Sequence, residues 1–433
     1  MTYTEAVTYL ELHAGRGVRP GLEQIAGLLS SMGDPHLSYP VVHLTGSKGK
    51  TSAARMVAAL AAAHGLSTGT YTSPHLETVE ERMSYNGEQA SADEFTQAVA
   101  DTAAFDLLVD ADPDRRLTYF EFVTAVAFAW FADRAVDLGV IEVGLGGRLD
   151  ATNVVDSKVA VVTSIALEHT EYLGDTLASI AAEKVAILKP GGTLVTGEVP
   201  PEAEAVMAAR AAELDAPHLL FGRDFRLTDE ILAVGGWDIS IDGVYDHYDE
   251  LHVPVHGRHQ LMNAAVAVAT TETLLGRALD PEAVAEGLGS VTLPGRLEVV
   301  GRRPLLVLDG AHTPESIEAG AAALDEEFPP FLWKTVIGAL ADKKLDQLLA
   351  GLAGVAGEVF AVSAQSDRAI PAAEVAAAAR LALPGVEVHE LGSVPDGVEA
   401  AVLAAGADGA VLVTGSMYVV GEARSLLTNI ERS

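Results

Sequence analysis

The sequence predicts an α/β fold of two domains, in which a parallel-sheet domain is followed by a smaller α/β domain of Rossmann-like form. Short apolar runs alternate with segments of helical periodicity from residue 41 onward, which is typical of parallel strands joined by helices. A Pro-Gly pair at residues 294–295 interrupts this alternation, and a second alternation follows it. We therefore expect one domain at residues 1–293 and another at residues 294–433.

The elements of the first domain follow from the spacing of its apolar residues. Residues 4–32 predict two helices, with a break at residues 15–20 (Gly-Arg-Gly-Val-Arg-Pro). After a strand that begins at Val41, further strands are expected at residues 68–72, 138–143, 159–165 and 193–196, and helices near residues 51–64, 92–104, 119–134 and 176–188. Such a sheet is buried on both faces, because the connecting helices cover it.

Two regions complete the predicted architecture. Residues 217–256 carry short alternating segments that predict antiparallel strands or a hairpin at the sheet edge, before helical spacing returns at residues 260–275. In the second domain, strands are expected at residues 305–308, 335–337, 359–362, 386–390 and 409–413.

Composition and charge exclude several classes of function. The formal net charge of -33 argues against nucleic acid or an anionic membrane as partner, since either would need clustered Lys and Arg. Two explanations of this excess of acidic residues are open: adaptation to a saline cytoplasm, and ordinary variation in the composition of a protein rich in alanine and glycine. The chain has no cysteine, which excludes disulfides, thiolate metal sites and a cysteine nucleophile.

The 433 residues, 49% of them hydrophobic, are enough for more than one core. No run of about twenty apolar residues is present, and the first residues lack the basic-then-apolar form of a signal peptide. We therefore expect a cytoplasmic protein, and we expect it to be a monomer.

Residues 41–52 predict a phosphate-binding loop between a buried strand and a helix. Gly46 and Gly49 allow backbone conformations in which successive N–H groups and the positive end of the helix dipole point at one anion. Lys50 would add a positive charge, and Thr51 a hydroxyl for Mg²⁺. The loop is the short Gly-x-x-Gly-Lys-Thr form, because Leu44 stands where the longer pattern has glycine. The alternative is a turn that merely joins strand to helix.

Polar side chains follow three further predicted strands of this domain, at the edge where open parallel sheets bind ligands. Ser73 and His75 follow the first, Glu142 ends the second, and His169 follows the third. Oxygen and nitrogen ligands from three loops would suit Mg²⁺ beside nucleotide phosphates. The alternatives are a common Ser-Pro turn, a structural ion pair at Glu142 and a hydrogen-bonding role for His169.

Three other motifs carry candidate residues. Lys184 lies in a mostly apolar helix, where the alternative is a lysine whose stem reaches water. Asp309 and His312 follow one strand of the second domain, and Ser416 follows another. Two polar strand ends in a small domain could face the phosphate loop across a cleft, which suggests a two-domain enzyme that uses ATP.

Taken together and in this order, the motifs resemble those of the folylpolyglutamate synthase and dihydrofolate synthase branch of the Mur ligase superfamily. The resemblance covers nearly the whole chain. It is carried by residues 46–52, 73–76, 81–82, 118–122, 142–153, 169–176, 183–184, 257–260, 263, 294–298, 309–312, 338–343 and 414–416.

The resemblance implies ATP-dependent amide ligation, in which ATP phosphorylates a carboxylate and the amine of L-glutamate attacks the acyl phosphate. Implied ATP contacts are Gly46, Ser47, Lys48, Gly49, Lys50, Thr51, Ser52, Asn263, Arg296 and Asp309. Implied Mg²⁺ ligands are Thr51, Ser73, Glu142 and His169, and implied substrate contacts are His75, Arg82, Asp150, His312 and Ser416. Implied catalytic residues are Lys50, Lys184, His169 and His312, and Lys184 matches a lysine that is carbamylated in many members.

Three departures from the family pattern concern the acceptor and the metal geometry. Ser47, Lys48 and Thr51 are more like the loop of the cell-wall Mur ligases, Glu168 replaces an Asp, and Thr313 replaces an Asn. The expected acceptor is dihydropteroate, tetrahydrofolate or both. The alternatives are a Mur-type ligase for a modified pterin or a cell-wall precursor, and a nucleotide-binding homologue without catalysis.

Overall fold

The computed structural model describes residues 1–14, 17, 21–109, 116–341 and 343–431. The break predicted at residues 15–20 therefore lies, apart from Gly17, outside the described residues. The helices are α1 Tyr3–Ala14, α2 Glu23–Ser31, α3 Lys50–Ala63, α4 Ala92–Val109, α5 Tyr119–Asp133, α6 Thr170–Leu173, α7 Leu177–Val185, α8 Pro201–Glu213, α9 His259–Leu275, α10 Pro281–Gly289, α11 Pro314–Glu327, α12 Leu345–Ala350, α13 Ala372–Ala382, α14 Val394–Ala405 and α15 Met417–Glu431.

The strands are β1 Val41–Thr45, β2 Thr68–Tyr71, β3 Met83–Tyr85, β4 Glu88–Gln89, β5 Leu138–Glu142, β6 Ser157–Val162, β7 Thr193–Thr196, β8 His218–Leu220, β9 Arg226–Ala233, β10 Gly236–Asp242, β11 His247–Val253, β12 Glu298–Arg302, β13 Leu305–Asp309, β14 Trp333–Ile337, β15 Ala356–Ala361, β16 Glu387–Glu390 and β17 Ala410–Thr414.

The first sheet has the strand order β4-β3-β2-β5-β1-β6-β7-β8. Strands β2, β5, β1, β6, β7 and β8 are parallel, and β3 and β4 add an antiparallel edge. In the central strands, Leu44 of β1 lies opposite Glu142 of β5 and Val161 of β6. The loops that follow these three strands therefore meet at one edge of the sheet. The predicted α/β class with a parallel-sheet first domain is confirmed.

The prediction for residues 217–256 is wrong in one respect. Only β8 joins the edge of the first sheet, whereas β9, β10 and β11 form an antiparallel sheet of their own. Trp237 and Tyr248 of this small sheet are buried in one core with Val266 of α9 and Leu288 of α10. The small sheet thus covers α9 and α10 instead of extending the main sheet.

The second large sheet has the order β12-β13-β17-β14-β15-β16, with β12 antiparallel to β13 and the others parallel. Its two faces carry separate cores, one around Trp333 and Leu348 and the other around Val398 and Val420. Asp309 lies opposite Thr414, so the loops after β13 and β17 are neighbours. The predicted smaller α/β second domain is confirmed, and the limits 1–293 and 294–433 stay a prediction.

No helix among the described residues is both long enough and apolar enough to cross a membrane.

Candidate functional site

The loop between β1 and α3 has the backbone that the glycine pattern predicts. Gly46 has φ 153° and Gly49 has φ 82°, conformations that L side chains rarely adopt. A methyl group at Gly46 would lie 1.9 Å from Thr163 Oγ1, and one at Gly49 would lie 2.5 Å from Asn263 Oδ1. Helix α3 starts at Lys50, so its first N–H groups face this loop without helical partners.

The loop is fixed to the segment that follows β6. The Ser47 N–H donates to Ser164 O at 2.9 Å, and the Lys48 N–H donates to Ser164 Oγ at 2.9 Å. Ser52 is buried one turn into the helix, at 3% exposure. Lys48 points its ammonium outward, 3.6 Å from Glu315 of α11. The loop backbone is thus held by its neighbours, while Lys48 reaches across to the second domain.

Glu142 is the buried carboxylate of the site, with 1% exposure at the end of β5. The Thr51 hydroxyl lies 2.9 and 3.0 Å from its two oxygens, and the Ser73 N–H donates to it at 3.1 Å. Burial raises the pKa of Glu142, while Lys50, Ser73 and Thr51 oppose that rise. Carboxylate and hydroxyl oxygens beside a phosphate-binding loop are the donors that Mg²⁺ prefers, so these residues fit that ion.

His169 lies on the loop after β6 and precedes α6 with φ 45°, a left-handed conformation that is uncommon outside glycine. Partial burial lowers the pKa of His169, and Lys343, Lys50 and Lys184 lower it further against the opposing charge of Glu168. Its ring therefore shares the electrostatic surroundings of the phosphate loop. Among the described contacts, none joins its side chain to Glu142.

Lys184 is 1% exposed, so the alternative of a lysine that reaches water is wrong. Its ammonium donates to Gly46 O at 3.0 Å and pairs with Glu168 Oε1 at 2.9 Å. The Lys50 ammonium donates to the same Gly46 oxygen at 2.8 Å. Burial and the nearby Lys50 lower the pKa of Lys184 to about 8. Two ammonium groups therefore share one carbonyl beneath the phosphate loop.

The residues expected to contact the acceptor lie on two loops. Arg82 donates through Nε to His75 Nδ1 at 3.0 Å and lies 5.6 Å from the centre of the Tyr119 ring. Burial and Arg82 lower the pKa of His75 to about 4, so its imidazole is neutral. Asp150 instead accepts hydrogen bonds from Leu145 N and from Thr152 N and Oγ1, which use both of its oxygens inside its own loop.

Two strand ends of the second domain carry the other predicted residues. Burial raises the pKa of Asp309 to about 6, and Arg296 opposes that rise. His312 is hydrogen-bonded through Nδ1 to Gly310 O at 2.8 Å. Ser416 is 2% exposed, and its hydroxyl accepts from Tyr418 N at 3.1 Å, which caps α15. Arg296 contacts Met417 Sδ at 2.9 Å, beside that same helix start.

Asn263 of α9 reaches the phosphate loop from the other side. Its amide nitrogen donates to Gln260 Oε1 at 3.0 Å, but its Oδ1 is buried and has no hydrogen-bond partner among the residues that the structure describes. An unpaired buried acceptor is costly, so this oxygen is suited to a donor group on a ligand.

Two pairings at the site have no counterpart in the sequence predictions. Glu168 follows the same predicted strand as His169 and is a candidate there, but its pairing with Lys184 depends on how β6 and α7 pack. Arg424 and Glu77 belong to none of the motifs, and Glu298 appears only as the last residue of the motif at residues 294–298, with no pairing expected for it. No local motif signals them, because the partners are 347 and 126 residues away along the chain.

Comparison with known proteins gives consistent matches over both domains. The model of the Mur ligase middle domain matches residues 44–271, and that of the Mur ligase, glutamate ligase domain matches residues 295–417. A dihydrofolate synthase/folylpolyglutamate synthase of Mycobacterium tuberculosis is 35% identical over 439 residues, covering 94% of this chain and 90% of the relative. A folylpolyglutamate synthase of Lacticaseibacillus casei is 33% identical over 435 residues, covering 99% of each chain.

Among solved structures, a Mycobacterium tuberculosis folylpolyglutamate synthase complexed with ADP and AMPPCP superposes with a TM-score of 0.91. It is 36% identical, and the match covers 98% of this chain and 99% of that one.

Proposed function

Because this chain belongs to the folylpolyglutamate synthase/dihydrofolate synthase family of Mur ligases, it is an ATP-dependent ligase, and we propose that the strand-end site described above joins L-glutamate to a folate-type carboxylate. The observation that carries the assignment of the site is the contact of buried Glu142 with Thr51, on the helix that begins with Lys50. A buried carboxylate beside a phosphate loop is suited to phosphoryl transfer.

The reaction needs two bond exchanges at one carboxylate. An acceptor oxygen attacks the γ-phosphorus of ATP, and the bond between that phosphorus and the bridging oxygen breaks, which releases ADP. The glutamate amine then attacks the acyl carbon, the bond to phosphate breaks, and a proton leaves the nitrogen. The products are an amide, ADP and phosphate. Lys50 and the loop N–H groups would hold the phosphates, and Asn263 Oδ1 would accept from a donor on the nucleotide.

A divalent cation is implied by the family and fits the residues that surround Glu142. Thr51, Ser73, Glu142 and His169 would hold Mg²⁺, which when bound neutralises charge on the transferred phosphoryl group. Thr51 and the backbone N–H of Ser73 both donate hydrogen bonds to Glu142, which brings three of these four residues together.

Two chemical states are proposed for Lys184, a carbamylated amine and a protonated amine. Carbamylation would turn the amine into an anion, and the pKa of about 8 favours the neutral amine that carbamylation needs. Glu168 already supplies a carboxylate 2.9 Å from the ammonium, which favours the protonated state. Density or mass measured on the intact protein near neutral pH decides between the two.

Glutamate would bind from the second domain, beside His312 and Ser416. The Gly310 carbonyl orients the His312 ring, and the buried Ser416 hydroxyl lies at the start of α15. Asp309 and Arg296 would contact ATP. Asp150 would support the acceptor pocket through its loop, since both of its oxygens are engaged there.

The proposed acceptor is dihydropteroate, tetrahydrofolate or both. The relative from Mycobacterium tuberculosis is named for two activities and that from Lacticaseibacillus casei for one. A modified pterin or a cell-wall precursor is the alternative acceptor. The other alternative to the proposed function is a nucleotide-binding homologue without catalysis. The predicted monomeric state and cytoplasmic location stay predictions.

A panel of acceptors assayed for phosphate release with ATP and L-glutamate tests the proposal. We expect release that depends on glutamate with dihydropteroate, tetrahydrofolate or both. Release only with a cell-wall precursor would move the chain to another ligase specificity, and no release with any acceptor would support the homologue without catalysis.

A further inference from the structure

One face of α15 docks the second domain onto the loop that follows β2. Gly421, Arg424 and Ser425 are three and four residues apart, so they lie on the same side of the helix. All three contact residues 76–77 of the first domain, in the loop that also carries Ser73 and His75. We call residues 73–82 the docking loop.

Arg424 joins two carboxylates that belong to different parts of the chain. Its Nε donates to both oxygens of Glu298, at 3.1 and 3.0 Å, and its guanidinium also pairs with Glu77. Ser425 Oγ donates to the other oxygen of Glu77 at 2.7 Å. The side chains of Arg424, Glu77 and Glu298 are 26%, 20% and 19% exposed, so water screens these pairs only in part.

Gly421 brings the two backbones into contact. A methyl group at this position would lie 2.0 Å from Leu76 O, and the obstructing atom is backbone rather than a flexible side chain. Any side chain at residue 421 would therefore push the docking loop away from α15.

Hydrogen bonds to Glu81 hold the backbone of the docking loop in one conformation. The Glu81 carboxylate accepts from the backbone N–H groups of Leu76, Glu77 and Thr78 at 2.8, 2.7 and 2.7 Å. At one end of the loop the Ser73 N–H donates to Glu142, and at the other Arg82 donates to His75. A shift of Glu77 is thus transmitted to groups at both ends.

Glu298 makes the second connection, to the segment between the domains. Its Oε2 accepts from Gly295 N at 2.8 Å, next to Arg296. Helix α15 also begins beside Ser416, which caps it. Arg424 therefore links the docking loop, the segment at residues 295–298 and the helix whose start lies at the proposed glutamate site.

We propose that Arg424 is a positioning residue: its pair with Glu77, together with the close contact at Gly421, fixes the position of the docking loop relative to the acceptor when the two domains are in contact. This inference rests on the proposed function, because the acceptor is assigned to that loop. It adds a role for the middle of α15, about two turns from Ser416.

The test compares Arg424→Gln, Arg424→Lys and Glu77→Gln with the control Arg303→Gln. Arg303 forms an exposed pair with Asp408 inside the second domain, so the control loses an arginine ion pair without touching the docking loop. Glu77→Gln removes the charge that pairs with Arg424 across the domains and leaves the ion pair between Arg424 and Glu298 in place. This variant keeps the test valid if an Arg424 variant fails to fold.

We expect Arg424→Gln and Glu77→Gln each to raise the KM for the acceptor about tenfold or more, with the KM for ATP changed less than about twofold. The double variant should resemble the worse single variant, because the two side chains act as one unit. Arg424→Lys should recover part of the loss, since lysine keeps the charge and reaches one carboxylate.

Acceptor KM values equal to those of Arg303→Gln, or additive effects in the double variant, would overturn the inference. If the unsubstituted protein forms no amide with any folate-type acceptor, the proposed function fails instead. Gly421→Ala, which changes no charge, should raise the acceptor KM in the same direction.

Discussion

The strand ends of the two large sheets differ in what holds their polar side chains. After β1, β5 and β6, the side chains hold one another: Lys184 pairs with Glu168, and the Thr51 hydroxyl donates to Glu142. After β13 and β17, the backbone holds them: His312 is hydrogen-bonded to Gly310 O, and Ser416 to Tyr418 N. Substitutions in the first group should therefore have non-additive effects on activity, and substitutions in the second group should have additive effects.

The largest effect is expected in the first group, for Lys50→Ala. The variant loses the positive charge at the phosphate loop, and turnover of ATP should fall about a thousandfold or more while the fold stays intact. The control is Lys158→Ala, because Lys158 is an exposed lysine at the start of β6, at the opposite end of the strands from the phosphate loop. The rate of ADP release measures the effect. An unchanged rate in Lys50→Ala would contradict the assignment of ATP to this loop.

A smaller effect is expected when the metal ligands are changed. Glu142→Gln and His169→Ala should each lower the maximal rate about tenfold to a hundredfold and raise the Mg²⁺ concentration needed. Glu183→Gln is the matched control, since Glu183 pairs with Arg148 at 2.8 Å on a partly exposed surface. Titration of Mg²⁺ at saturating ATP measures the requirement. Normal metal dependence in both variants would contradict the ligand assignment.

The second group should respond differently. His312→Ala and Ser416→Ala should each raise the KM for glutamate about tenfold, with little change for ATP, and their effects should add in the double variant. Ser416→Ala should also cost roughly 1 kcal/mol of stability, because it removes a helix cap. Equal weakening of glutamate and ATP would mean that these side chains only support the second domain.

The last prediction concerns stability rather than catalysis, and it is a pH dependence that comes from Lys184. Its pKa falls from 10.5 to about 8 on folding, so between these values the unfolded chain binds more protons than the folded one. The contribution of Lys184 to the free energy of unfolding should therefore rise between about pH 8 and pH 10.5, by on the order of 3 kcal/mol at most.

Lys184→Met should lack this rise, and chemical denaturation of both proteins across that pH range measures the difference. Parallel stability curves would show that the folded chain binds the Lys184 proton as readily as the unfolded one.

Local pattern was enough to predict the strands and the side chains that end them. A run such as residues 138–142 places Glu142 after apolar residues, and parallel pairing then brings it to the edge where Thr51 lies. The second domain was predicted in the same way, from a second alternation of apolar runs and helical segments, and Asp309 ends the first parallel strand of that domain, β13.

Pairings set by packing could not be predicted. Alternation in residues 236–242 indicates a strand but does not say which sheet receives it, so the separate sheet of β9 to β11 was missed. The burial of Lys184 depends on Gly46, 138 residues earlier in the chain. The use of both Asp150 oxygens within its own loop also depends on the turn that the loop adopts.

The close contact at Gly421 has a consequence for descent. A methyl group there would meet the Leu76 carbonyl at 2.0 Å, and because that oxygen is backbone, no substitution at residue 76 can remove it. A lineage can therefore change the side chain of residue 76 freely but can gain a side chain at residue 421 only by moving the backbone at residues 76–77. Chains that keep Arg424 and Glu77 should therefore keep glycine at residue 421, or differ in the length or course of the loop at residues 76–77.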